Sequence, residues 1–175
     1  MKYTILLIIL LVFSLKTYTN QENKNLIFSQ EERYSAAHTR TDINKLFNNI
    51  TNPIGLKKTK NKWNYKISKN NTKFERFKEP FWGIRAGIIN LLNYIKYNKV
   101  TTNYEYIYRH NPEKKYIDDF FKLSKLDSTE LINNHKEFII SVKIIIFLET
   151  SKTINTKQIE YVCNYNNIVF ESPRQ

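Results

Sequence analysis

Glycine, proline and cysteine are all scarce in this 175-residue chain, which has three, four and one of them. Each shortage removes a class of explanation. With Cys163 as the only cysteine, no internal disulfide and no thiolate cluster can form, so stability must come from packing. Three glycines cannot supply a glycine-rich phosphate loop, and G-x-S-x-G does not occur, which argues against nucleotide and serine-hydrolase chemistry. His38, His110 and His135 are scattered, and no His/Cys/Asp group has ligand spacing, so no metal and no cofactor is expected. Cys163 itself reads as a small buried hydrophobe on a helix. No repeat and no long linker divides the chain.

Acidic residues are few as well, 16 against 28 basic ones, which leaves a formal charge of +12. That excess suits a polyanion: nucleic acid, anionic lipid, or the teichoic acids and peptidoglycan carboxylates of a bacterial wall. An AT-rich genome would also enrich Asn and Lys with no partner involved, so charge alone does not choose.

The longest apolar run lies at the start. Lys2 is followed by TILLIILLVFSL, about a dozen residues, then Lys16 and Thr17-Tyr18-Thr19. Spanning a bilayer takes about 20 apolar residues. Residues 1–19 therefore read as a secretory signal, with an uncleaved tether as the alternative, and they are the only expected membrane contact. No cysteine follows to carry a lipid. The implied location is exported, periplasmic or extracellular.

Residues 20–50 form a polar arm with two candidate helical pieces, EERYSAAH and TDINKLFNNI, the second capped by Thr41 or Asp42. Residues 51–175 read as one mainly α (α+β) domain. Pro53 and Gly55 mark a turn, and KWNYKI and KFERF alternate as two short strands, a small hairpin at about 63–78. From Gly83 the period becomes helical: Ile84, Ile88, Leu91, Leu92 and Ile95 share a face. Thr102 opens a helix in which Tyr104, Ile107 and Tyr108 share a side, and Pro112 opens another carrying Tyr116, Ile117, Phe120, Phe121 and Leu123. HKEFIISVKIIIFLE reads as the central helix, with a buried strand as the minor alternative. Thr153 or Asn155 caps the last helix, with Ile159 and Val162 inward.

Asn52, Pro53, Trp63, Phe77, Pro80, Gly83-Ile84-Arg85-Ala86, Leu91 and Tyr94 follow an order that resembles a family of bacteriophage and prophage virion structural proteins. The pattern of that family runs NNPGNIR, W, F-x-x-P-x-x-GIRA and a helix ending L-x-x-Y. The resemblance covers about 110 residues and continues through IYRHNP, Tyr116 and a helix ending in glutamate. NPIG here replaces the family's NPGN, His110 replaces a tryptophan, and EKK shortens a polar run. The layout is also similar, more loosely, to that of lysozyme-superfamily wall hydrolases, where an N-x-x-G-[IL] loop, a hairpin and a helix build one wall of a glycan cleft. That likeness implies a single lysozyme-like helical domain and a peptidoglycan ligand.

Glycan cleavage needs a carboxylic acid that can protonate the leaving oxygen. Glu149 closes the apolar helix, where a carboxylate meets the negative end of the helix dipole, and it matches the family's closing glutamate. Glu32 stands about 20 residues before Asn52, a spacing similar to that of acid and loop in some wall-degrading glucosaminidases, and Glu79 directly precedes Pro80. For ligand binding the candidates are Asn52, Trp63, Trp82, Arg85 and Tyr94. Two of these also have plain structural readings, Arg85 tying the hairpin to the helix and Asn52 bonding its own turn.

Three function classes follow. The first is a wall-acting protein that binds or cleaves peptidoglycan or another anionic wall polymer. The second is a phage-derived structural module with protein partners and no turnover. The third, a secreted nucleic-acid binder, rests only on the Lys and Tyr mixture in YKISKNNTKFERFK.

Overall fold

A computed structural model describes residues 39–67, 72–97 and 100–171, all within a unit that begins at Thr39. The described residues are mainly helical: α1 (39–47), α2 (Pro80–Tyr97), α3 (Asn103–His110), α4 (Lys114–Ser124), α5 (His135–Thr150) and α6 (Thr156–Tyr165). No sheet forms among them. The signal segment, EERYSAAH and Glu32 lie outside the described residues.

Local chemistry accounts for most of the helix ends. The Thr102 hydroxyl accepts from Glu105 N at 3.2 Å, and the Asn134 amide oxygen accepts from Glu137 N at 2.9 Å, each satisfying a donor that the helix start would leave open. Asn155 and Gln158 form a reciprocal capping box at α6. Lys125 and Ser151, with φ of 59° and 57°, turn the chain out of α4 and α5. α2 begins at Pro80, three residues ahead of the expected start, because proline's fixed φ suits the first helical turn.

The expected inward faces of α2 and α6 are buried, except that Leu92 is only half-buried. Each helix packs on the next, from α2 to α6, and α6 returns to α2, so the five close into a ring. Tyr106, Phe120, Phe138, Ile145 and Ile146 are fully buried or nearly so. Truncating a phenylalanine in such surroundings costs about 3–5 kcal/mol. The buried Tyr106 hydroxyl meets Ser141 Oγ at 3.2 Å.

Two expectations change before α2. α1 is already helical at residue 39, so Thr41 and Asp42 lie inside it and do not cap it. Ile43 and Phe47, one turn apart, are fully buried, which places residues 39–50 in the packed unit although the sequence reads as an arm there. In the region of the expected hairpin, the described residues carry isolated antiparallel bridges, Lys66 to Phe77 and Lys57 to Phe74, and no strand ladder. Tyr65, at φ 56°, breaks the extended run next to the first bridge.

Candidate functional site

The site is built on the turn Asn52-Pro53-Ile54-Gly55. Asn52 O accepts from Gly55 N at 3.0 Å, with Pro53 in the position its ring favours. The Asn52 side chain holds the loop from within: Nδ2 donates to Leu56 O and Glu75 O at 2.9 and 3.0 Å, while Oδ1 accepts from Leu56 N at 3.0 Å. The loop then lies directly on α2. A Cβ on Gly83 would collide with Thr51 O and sit 3.0 Å from Asn52 Cα, and Ile54 fills the space beside Gly87. On the other side Gly55, at φ +66°, packs against the Glu149 carboxylate, in space that a Cβ would occupy.

Glu149 stands in the last turn of α5, and two other helix ends converge on it. His110, the last residue of α3, brings Nε2 to 3.5 Å from Glu149 Oε1. Tyr116, in the first turn of α4, has its hydroxyl proton held more tightly by burial and then by the neighbouring Glu149 charge. Both His110 Nε2 and Tyr116 Oη are buried with no hydrogen-bond partner of acceptable geometry. Two buried polar groups that converge on one cavity-facing carboxylate make this the candidate site. The His110 side chain is only 5% exposed, whereas that of Glu149 is 21% exposed.

A cavity of about 400 Å³ opens over this cluster, lined by His110 and Glu149 and, across from them, by Gly55, Lys57, Lys73 and Phe74. Asn111, Pro112 and Glu113 complete its rim, so a second carboxylate faces the same space. Lys57 Nζ donates to His110 O at 3.2 Å, where a cation suits the carbonyl end of α3. The arrangement offers an acid, an imidazole beside it, a second carboxylate and two cations around one opening.

The other residues singled out from sequence stand elsewhere. Glu79 accepts from Arg40 Nη2 at 2.7 Å, Arg40 Nε at 3.0 Å and Asn44 Nδ2 at 2.8 Å. Partial burial opposes its charge, but these bonds win and hold the carboxyl below its ordinary range. Arg85 Nε donates to Asn166 Oδ1 at 2.6 Å, tying α2 to the end of α6, not to the 63–78 segment, and burial lowers its proton affinity. Trp82 is buried and stacked on Tyr65 with ring centroids 4.1 Å apart, and Arg40 lies 5.1 Å over it. Trp63 Nε1 donates to Thr59 Oγ1 at 2.8 Å. Tyr94 packs edge-on to Tyr106 beneath Arg109. None of these five lines the Glu149 cavity.

Sequence reasoning missed His110, Tyr116 and Glu113 as neighbours of Glu149, and it missed Glu75. The Glu75 side chain, 1% exposed, accepts from Thr59 N at 2.8 Å and Lys66 Nζ at 2.9 Å and so organises the segment beside the site. No family model matches the chain, and no curated protein matches it. Among the described residues no group of three or more His, Cys, Asp or Glu is placed to hold a metal ion, and no helix is long and apolar enough to cross a membrane.

Proposed function

We propose that the protein is exported and acts at the bacterial cell wall as a lysozyme-like, glycan-cleaving protein with Glu149 as its acid. One observation carries this reading: a largely buried carboxylate at a cavity wall, flanked by two buried polar atoms, His110 Nε2 and Tyr116 Oη, that both turn to it. Glu149 gives its proton to the oxygen of the leaving sugar as the glycosidic bond breaks. Water adds to the anomeric carbon, and its proton passes to a carboxylate, for which Glu113 on the rim is the second candidate. His110 and Tyr116 hold Glu149 in place and keep bulk water from one side of it. Lys73, across the cavity, suits the carboxylates of the stem peptides attached to wall glycan. The lysozyme-like arrangement, with the 63–78 segment as a rudimentary hairpin, belongs to this proposal, as does removal or retention of residues 1–19.

A second reading has its own support. Asn52, Trp63, Arg85 and Tyr94, which carry part of the likeness to virion structural proteins, are all spent on internal contacts, as is Trp82. A motif that only builds a scaffold fits a prophage-derived structural module that binds wall or protein without turnover. Dye release from labelled peptidoglycan, run beside a pull-down of insoluble wall, separates the two. Release that vanishes in Glu149→Gln supports the hydrolase. Wall binding without release supports a wall-binding module, and neither binding nor release sinks the wall reading and leaves a module with protein partners.

A further inference from the structure

α3 turns its tyrosines in two directions. Tyr106 and Ile107 are fully buried, while Tyr104 and Tyr108, one turn apart, are 49% and 53% exposed. The two exposed rings are nearly parallel, at 19°, with centroids 6.1 Å apart. They line a second cavity, of about 620 Å³, together with Val100, Glu105 and Arg109. Lys57 and Pro112 belong to its lining and to that of the Glu149 cavity, so the two openings adjoin along α3 and share a wall.

The platform is firmly mounted. Asn103, buried at the start of α3, donates from Nδ2 to Asp127 O at 2.7 Å and accepts from Ile132 N at 2.9 Å, and Tyr104 N donates to Ser128 O at 3.0 Å. Thr102 caps the same end, and the Tyr106–Ser141 contact anchors the middle. A helix fixed at this many points presents its outer rings at little further ordering cost, which is what a preformed binding face requires.

We infer that Tyr104 and Tyr108 form a saccharide-stacking subsite that feeds a neutral glycan strand into the cavity at Glu149. A pyranose ring offers a face of C–H groups with slight positive charge, matched to the negative face of an aromatic ring, while a tyrosine hydroxyl stays in water. Charge favours sugar over nucleic acid here. Arg109 lies over Tyr94 at 5.9 Å, Lys57 is bonded to His110 O, and Glu105 adds a negative charge, so the lining lacks the row of free cations that a phosphate backbone needs. The inference rests on the wall-glycan reading and deepens it by naming where the strand outside the cleavage point lies.

The test is titration of the full chain with the β-1,4-linked N-acetylglucosamine hexamer, in the wild type, Tyr104→Ala, Tyr108→Ala and the corresponding Phe variants, each checked for an unchanged unfolding midpoint. Each Ala variant is expected to weaken hexamer binding about five- to tenfold, and the Phe variants to keep it, since the ring face is retained. No hexamer binding, equal binding by the Ala variants, or displacement by a single-stranded oligonucleotide with steep salt dependence would overturn the subsite. Hexamer binding that depends on both tyrosines without any wall cleavage keeps the subsite and removes the hydrolase. Cleavage that is indifferent to both tyrosines does the reverse.

Discussion

Glu79 and Glu149 both sit at helix ends, yet the fold treats them in opposite ways. Glu79 precedes α2, where the helix dipole welcomes a negative charge, and Arg40 and Asn44 satisfy it. Glu149 closes α5, where the dipole is unfavourable, and its neighbours are His110 and Tyr116, neither well bonded to it. The first carboxylate consolidates a corner; the second is held against a cavity at some cost to the fold. That contrast separates the two carboxylates more sharply than exposure does, since 37% and 21% exposed side chains would not.

The largest expected break in this comparison is catalytic. Glu149→Gln should lower dye release from wall glycan by about a hundredfold or more, whereas Glu79→Gln should leave it within about twofold. Equal losses would mean that both act through stability. Next comes Gly55→Ala, which forces a side chain into a left-handed backbone position and onto the Glu149 carboxylate. It should lower stability by about 2 kcal/mol, read as a shift in the urea midpoint, and should reduce release as well.

Tyr116→Phe sharpens the contrast at smaller scale. Deleting a buried hydroxyl whose contact with Glu149 is poorly aligned should change stability by no more than about 1 kcal/mol, while release falls. A clear loss of stability would show that the hydroxyl is bonded in solution and would erase the distinction from Glu79. The smallest effect is the pH dependence of Glu79. Its folded value is depressed, so its contribution is fully present above the ordinary value of 4.5 and fades as pH falls through the lower folded value. Partial exposure and salt screening keep that contribution below about 1 kcal/mol. Glu79→Gln should therefore flatten the acid limb of the stability curve.

Much of the helical frame could be read from local signals, because capping and periodicity act within a few residues. Thr102 and Asn155 start their helices as expected, and Ile84, Ile88, Leu91 and Ile95 face inward on one stripe. The caps at Thr41 and Asp42 failed because α1 is already running at residue 39. On α3 the sequence placed Tyr104, Ile107 and Tyr108 on a common side, but packing buries Ile107 with Tyr106 and leaves the other two to solvent. The surroundings of Glu149 carried no local signal. His110, Tyr116 and Gly55 reach it from three separate segments, and His110 alone looked like an ordinary cation at a helix end. Asn52 and Arg85 stood out in sequence because they hold the loop and α6 in place.

The seating of the Asn52–Gly55 loop also bears on the order of assembly. Its contacts with Gly83 and Gly87 close over about thirty residues, while the contact of Gly55 with Glu149 closes over nearly a hundred. Local closures form early and cost little chain entropy, so the loop and α2 can dock as a small hydrophobic unit before α5 is in place. The acid then arrives last. A chain that has folded only its first half lacks the Glu149 cavity, so under the proposed function activity would appear only once α5 docks; pulsed hydrogen exchange should find α2 protected before α5.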